Sequence, residues 1–451
     1  MSYNYADKTF KGNVQIRSCY ACCDPVRLVK MKNTDYLKQL DEELVIAVGC
    51  TEPVAVAYAA ALAKKQAGEG DIESLAVKAS VNIYKNAMGV NIPGTQEMGV
   101  AMAAALGAIA GDSDLVLEVL RHVDEEDIAK AKALCDEGHV SLDIFKGDQP
   151  LYIDVFLSTG AHSGRAVIEH KHDLIMLLEK DGQTVFINDT ELSTDLKDSI
   201  TVDDIASIYD FARTVDLSKL DRIREAIKLN SAVAEEGLRK GYGLGVSPAL
   251  QGTRDLTELD LELYCAVLTS AATDVRMAGI PMPVMSNSGS GNQGLTVTVP
   301  VLAAARWLKS EEDEHLRAQT LAHLIAIHVK GSFGRLSPLC GAVAAAVGAS
   351  CGIVYLLGGK LQECIAAVQN VFGSITGMIC DGAKAGCALK VSTCVFTAVQ
   401  AAKVAMAGRS IQSTDGVIEE DVEATIRNME RISKEGMADM DKLLLNIMLN
   451  K

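Results

Sequence analysis

The sequence predicts an α+β fold, with an Ala- and Gly-rich all-helical core and a smaller α/β lobe that contains an antiparallel sheet. Three observations predict it. Hydrophobic residues fill 49% of the 451 positions while aromatics fill only 4%, so small side chains line the helix contacts and let helix axes approach closely. Between 140 and 188 the pattern turns to strands, with "LYIDVFLS" alternating at period two. From 203 onward the helical period dominates, with one interruption at 277–308.

Taken in order, residues 1–30 carry Cys19, Cys22 and Cys23 and little periodicity, and read as a leader that is poorly ordered or vestigial. A second natural beginning stands at Met31. Residues 34–47 and 52–67 read as helices, the second alanine-rich and ended by Gly68. "SLAVKASVNIYKNA" (74–87) reads as a strand, "NIPGT" as a turn, and 96–110 as a helix with Thr95 as its N-cap. Strands follow between 140 and 188, with a hairpin at Asp181-Gly182. The uncharged run 336–359 is long enough to span a membrane, but its Ser-Pro start, its glycines and its lack of aromatic belts make it a buried central helix. The end of the chain, 408–451, is a charged amphipathic tail. The expected organisation is 1–30 leader, 31–70 a helical segment joining the core, 71–200 an α/β lobe and 201–451 a helical domain.

A net charge of −16 argues against nucleic acid or a membrane surface as the main partner. A small anionic substrate then requires a local positive field. The opening "MSYNYADKTFKGNVQIRS" is polar and does not read as a secretory signal, so cytoplasmic, reduced thiols are the expectation for the 12 cysteines.

Three of those cysteines stand beside turns and helix starts. Cys380 and Cys387 flank the loop-like DGAKAG. Continuous helix would part their Cα atoms by roughly 10 Å, whereas a loop can bring both sulfurs to one point. Cys387 opens the next helix, and Cys340 does the same after Pro338 in "GRLSPLCGAV". Helix N-termini favour thiolate over thiol. Two readings are open: a metal or iron–sulfur site with one position left for substrate, or small buried residues in tight helix packing. Cys135, Cys265, Cys351, Cys364 and Cys394 read as core.

"SNSGSGNQG", Ser286 to Gly294, has the glycines to curl its amides toward one point and hydroxyl and amide side chains to add donors. It reads as a cradle for a carboxylate or phosphate, or else as a linker, and it lacks the ending of a P-loop. In "VGCTEP", Pro53 suits the first turn of a helix and Thr51 can cap it. Cys50 then stands before a helix N-terminus, as a base or nucleophile or as a packing thiol. His170 and His172 on one face of a strand read as solvated, and His323 and His328 receive no role.

On "GCTEP", "NIPGT", "SNSGSGNQG", "GRLSPLCGA" and "GMICDGAKAGCALKV", the chain from about Met31 resembles the L-cysteine desulfidase family, relatives of the iron–sulfur L-serine dehydratases. The resemblance implies a lyase whose [4Fe–4S] cluster is held by Cys340, Cys380 and Cys387, with 201–451 as the catalytic domain. It implies a Lewis-acidic open iron, Cys50 as the base for the α-proton or as a cap on the resting cluster, and no pyridoxal phosphate. Ser286, Asn287, Ser288, Gly289, Ser290, Gly291, Asn292 and Gln293 would bind the amino-acid substrate, with Pro93, Gly94 and Thr95 as a second wall and Lys85 or Lys384 as the cation. Loss of hydrogen sulfide from L-cysteine is the expected reaction, loss of water from L-serine the alternative, and a non-catalytic cluster protein the third reading. A homodimer is the expected assembly.

Overall fold

A computed structural model describes residues 33–188 and 204–451. The expected leader, with Cys19, Cys22 and Cys23, lies outside the described residues. The fold is α+β, built around two apolar cores.

The lobe holds a six-stranded sheet of order β3-β2-β4-β5-β6-β7: β2 is Ser74–Ala79, β3 Val140–Ile144, β4 Tyr152–Ser158, β5 Ser163–Glu169, β6 Ile175–Lys180 and β7 Gln183–Ile187. Residues of one parity, among them Leu75, Val77, Ile153, Val155 and Leu157, are buried. They face the Thr51–Ala67 and Val100–Ala110 helices. Thr51–Ala67 is buried almost all round because alanine lets it fit between the sheet and its neighbour helix. The sheet is mixed: β2 pairs antiparallel with β4 but parallel with β3. The chain returns to β3 through helices, and that crossover is what a parallel neighbour requires. The β6–β7 hairpin turns at Asp181 and Gly182, both at positive φ, as expected of that pair.

The helical body packs around Gly341–Leu356, which is buried among Gly291–Leu308, Glu312–Phe333, Leu361–Ile375 and Cys387–Met406. The uncharged run is thus a central core helix. Cys387–Met406 is long and apolar enough to cross a membrane by length and composition, yet half of that stretch is buried inside the protein.

Three local expectations are corrected. The first helix ends at Glu43, and Ile46–Val48 forms strand β1, antiparallel to β8 at Pro283–Met285. Branched Ile46 and Val48 suit that pairing. The long strand at 74–87 stops at Ala79, and Val81–Ala87 is a helix. Ser80 makes the switch: its N–H donates to Tyr152 O and its hydroxyl to Pro150 O. The helix expected from 96 begins at Val100, because Asn91 and Met98 bridge across the intervening loop. Thr95 is therefore not its N-cap.

Candidate functional site

Two short backbone pairings assemble the site from loops distant in sequence. One is β1 with β8, which sets the chain entering Cys50 beside the chain entering Ser286. The other is a bridge between Leu339 and Ile379. There Cys340 N–H donates to Met378 O (3.0 Å) and Cys380 N–H to Pro338 O (2.7 Å). Side chains alternate across such a pair, so Cys340 and Cys380 share the face opposite Leu339 and Ile379. Cys387 opens its helix and turns back, its thiol donating to Gly382 O (3.7 Å). Gly382 has φ +90, and a Cβ there would stand 2.3 Å from Lys85 O, so the DGAKAG loop can lie against the Val81–Ala87 helix only with glycine at this position.

Burial, then the charge of Cys380, pushes the Cys340 thiol up to about 12. Cys387 is also raised, by burial first and with Cys380 contributing. The expectation that helix starts would favour thiolate is overridden by dehydration. Among the described residues, no three His, Cys, Asp or Glu side chains form a group that could hold a single metal ion. A four-iron cluster interposes its own inorganic core and takes its thiolates at wider separation, and soft sulfur donors are its usual ligands.

The surrounding cations bear on that fit. Lys330 is buried, with its ammonium donating to Ser337 Oγ (3.1 Å). Burial lowers it to about 8, and the facing Cys380 and Cys340 act in the opposite sense. Ionised sulfur in front of it would match that charge. Lys390 donates to Ile379 O (2.9 Å) and to Asp381. Asp381 is held at about 2, the hydrogen bonds from Lys384 and Lys390 outweighing its burial. Neither lysine proposed as a substrate cation is free for that role. Lys85 is committed to Asp441 Oδ1 (2.6 Å) and to Cys380 O (3.0 Å), and Lys384 to Asp381.

Cys50 is 2% exposed and shares a small apolar cluster with Val90, Met277, Ala383 and Cys387. That cluster links the GCTEP loop to the late cysteines. The Cys50 thiol donates to Glu52 Oε2 (3.1 Å), which also accepts from Thr51 Oγ1 (3.1 Å), while Asn86 donates to Glu52 Oε1 (2.9 Å). Burial and the Glu52 charge raise Cys50 well above an ordinary thiol. Burial would raise Glu52 too, but His172 and the bonds from Cys50 and Asn86 bring it below the usual carboxylate value. Burial in turn lowers His172, with the Glu52 charge acting in the opposite sense. Pro93 packs against Gly49, and Gly94 N–H donates to Gly279 O (3.0 Å). The Thr95 hydroxyl is engaged within its own turn, with Ile92 O (3.0 Å). These residues buttress the Cys50 loop from behind.

The SNSGSGNQG segment makes a tight turn and then a helix. Asn287 and Ser290 exchange backbone hydrogen bonds, with Ser288 and Gly289 between them at positive φ. Ser290 caps the Gly291–Leu308 helix by accepting from Gln293 N–H (3.3 Å). Much of the segment's polarity is spent inward. Ser286 donates to Val45 O (2.6 Å), Ser288 to Asn287 Oδ1 (2.9 Å), and Gln293 to Asn287 Oδ1 (2.8 Å). Asn287 is itself anchored on buried His323. Gly289 O accepts from Thr51 Oγ1 (3.1 Å), and Gln293 Oε1, buried and unpartnered, lies beside Gly341. The segment thus touches both the Cys50 loop and the helix that Cys340 caps.

Glu52, Asn86, Arg276 and His172 escaped the sequence reading as functional residues. His172 is buried next to Gly289, not solvated on a strand, and His170 sits at positive φ in the turn after β5. Glu52 lay in plain view within GCTEP; the other three carry no local signal. A cavity of about 620 Å³ lined by Tyr84, Met98, Lys132 and Leu449 lies on the lobe, apart from this cluster.

The serine dehydratase alpha chain family matches residues 114–446, a span that includes SNSGSGNQG and the three late cysteines but not Cys50. A UPF0597 protein of Oleidesulfovibrio alaskensis is 42% identical over 427 residues, 94% of this chain and 100% of its own length. UPF0597 proteins of Clostridium perfringens and Bacteroides thetaiotaomicron are 41% and 40% identical, over 92% and 94% of this chain and 98% and 99% of their own. With matches of this extent, the chain belongs to the serine dehydratase alpha chain family.

Proposed function

We propose that the protein is an iron–sulfur-dependent L-cysteine desulfidase, a carbon–sulfur lyase of the cytoplasm that works without pyridoxal phosphate. It converts L-cysteine and water to pyruvate, ammonia and hydrogen sulfide. Family membership supports a dehydratase-like lyase. The choice of sulfur over oxygen is carried by one observation: Cys50 and Cys387 lie in an apolar, sulfur-rich cluster with Val90, Met277 and Ala383. A β-thiol brought there meets soft, polarisable sulfur, and it asks less of its neighbours by way of hydrogen bonds than a β-hydroxyl does.

A [4Fe–4S] cluster on Cys340, Cys380 and Cys387 would supply a Lewis-acidic iron for the β-leaving group. The paired Leu339 and Ile379 segments and the buried Lys330 charge support that ligand set. The chain's own residues do the rest. Cys50 is the base for the α-proton, and Glu52, ionised and hydrogen-bonded to it, receives the thiol proton that must leave first. Thr51 ties this loop to Gly289, so base and substrate loop keep a fixed relation. Ser290, Asn292 and Gln293 orient the substrate, with Ser286, Asn287, Ser288, Gly289 and Gly291 shaping the turn and Gly94 and Thr95 behind it. The working assembly is a homodimer.

L-Serine dehydratase is the second reading, favoured by the name of the matched family. Protein reconstituted without oxygen and given each amino acid separately decides between them. The proposal predicts pyruvate and sulfide from L-cysteine at a kcat/KM well above that for L-serine; pyruvate from serine alone would overturn it.

A further inference from the structure

Arg276 brings a positive charge into this cluster and, among the described residues, forms no ion pair. It lies in the last turn of the Leu261–Met277 helix and is 4% exposed. Nη1 donates to Asn292 Oδ1 (2.9 Å) and Nη2 to Gly49 O (2.8 Å), while Nε is buried without a partner. Among the described residues no carboxylate pairs with it. Asp274, two residues earlier, is turned the other way and accepts from Leu244 and Val246 N–H. A buried guanidinium left unpaired is costly, and in a folded protein that cost points to a ligand.

The group is aimed at a helix start. A Cβ on Gly291 would stand 2.3 Å from Arg276 Nε, so only glycine lets the guanidinium lie against the first residue of the 18-residue Gly291–Leu308 helix. The first amides of a helix have no intrahelical acceptor, and Ser290 takes only that of Gln293. Cation and helix start therefore favour an anion at one place.

We propose that Arg276 and the amides at Gly291 and Asn292 bind the α-carboxylate of the amino-acid substrate, an inference that rests on the amino-acid lyase reading above. A monoanion balances the single guanidinium. A phosphate dianion would leave excess negative charge beside Glu52. The same Arg276 holds the carbonyl of Gly49, the residue before Cys50, so one side chain sets both the carboxylate and the base. Charge that develops on the carboxylate side as the α-proton leaves falls next to a fixed cation. The site then takes free α-amino acids and rejects amines and C-terminally blocked analogues.

L-Alanine and L-alaninamide test this without turnover, because neither carries a β-leaving group. Calorimetric titration of the cluster-loaded full chain should give L-alanine binding at least about 30-fold tighter than L-alaninamide, the scale of a buried charge pair. Arg276→Gln should abolish that preference, Arg276→Lys should restore part of it, and Gly291→Ala should reduce it by displacing the guanidinium. A wild-type protein indifferent to the carboxylate would overturn the proposal, whether or not the variants fold. So would a folded Arg276→Gln protein that keeps the preference. Carboxylate binding seen in the wild type and lost in Arg276→Gln, together with no pyruvate formed by the wild type from any β-substituted amino acid, would sink the lyase reading and leave this site standing. Full turnover by Arg276→Gln at unchanged KM would do the reverse.

Discussion

Which of two neighbouring groups holds a proton decides how Cys50 can work. Standing before a helix N-terminus should lower a thiol pKa, and the dipole supplies about 0.3–1 kcal/mol. Full burial can raise the same pKa by about 3–5 units, and the Glu52 charge adds to it, so burial wins. The resting pair is thiol and carboxylate. Cys50→Ala should keep the cluster's absorbance and lose sulfide release by about 100- to 10,000-fold, the range for a general base; unchanged activity would remove the thiol from the mechanism. Glu52→Gln should lower kcat about as far. Because Glu52 lies below the usual carboxylate value when folded, its ionised form persists until pH falls below that range. The wild-type acid limb should thus appear beneath the carboxylate's ordinary value of 4.5, and Glu52→Gln should lack it in a pH profile of kcat. GCTEP made Cys50 and Thr51 legible as a chemical loop. Arg276 was not, since on sequence it is one basic residue in the last turn of a helix, and only folding sets it beside Gly49 and Asn292.

At the scale of elements, β1 and β8 are three residues each, too short to announce themselves by alternation. Val45–Val48 reads equally as the end of a helix, and only the partner strand settles it. The strand–helix switch at Ser80 was hidden because Val81, Ile83 and Tyr84 are good strand formers. The long helices and the Asp181-Gly182 hairpin were legible, since their period or turn chemistry is local. Behind the substrate loop, the Glu312–Phe333 helix supplies His323, which is bonded to Asn287 and Thr298 and held by burial at about 3. Between that value and the ordinary 6.5 the unfolded chain binds one more proton here than the folded one. Stability from this group is therefore complete above about 6.5 and falls with decreasing pH by about 1.4 kcal/mol per unit. His323→Gln should flatten that slope in urea midpoints measured from pH 7 to pH 4. Gly382→Ala should separate the DGAKAG loop from the Val81–Ala87 helix; the expected result is a folded protein that retains little iron.

Across the whole molecule, the site lies where the lobe and the helical body meet, and contacts from both sides hold it. Lys85 in the lobe reaches Cys380 O and pairs with Asp441 near the C-terminal end of the chain. Removing one partner of a buried pair strands the other and costs about 3–5 kcal/mol. Asp441→Asn should accordingly lower the melting temperature and loosen the Cys380 segment, seen as faster cluster loss in air. Lys330→Met should also speed cluster loss, because its charge faces Cys340 and Cys380. The central claim is that Cys340, Cys380 and Cys387 hold one cluster between them. Iron and acid-labile sulfide in protein purified without oxygen measure it most directly: about four of each per chain are expected, falling to near zero in a folded Cys340→Ala, Cys380→Ala, Cys387→Ala variant. Wild-type protein with no iron after reconstitution, or a triple variant that keeps its iron, would contradict the account.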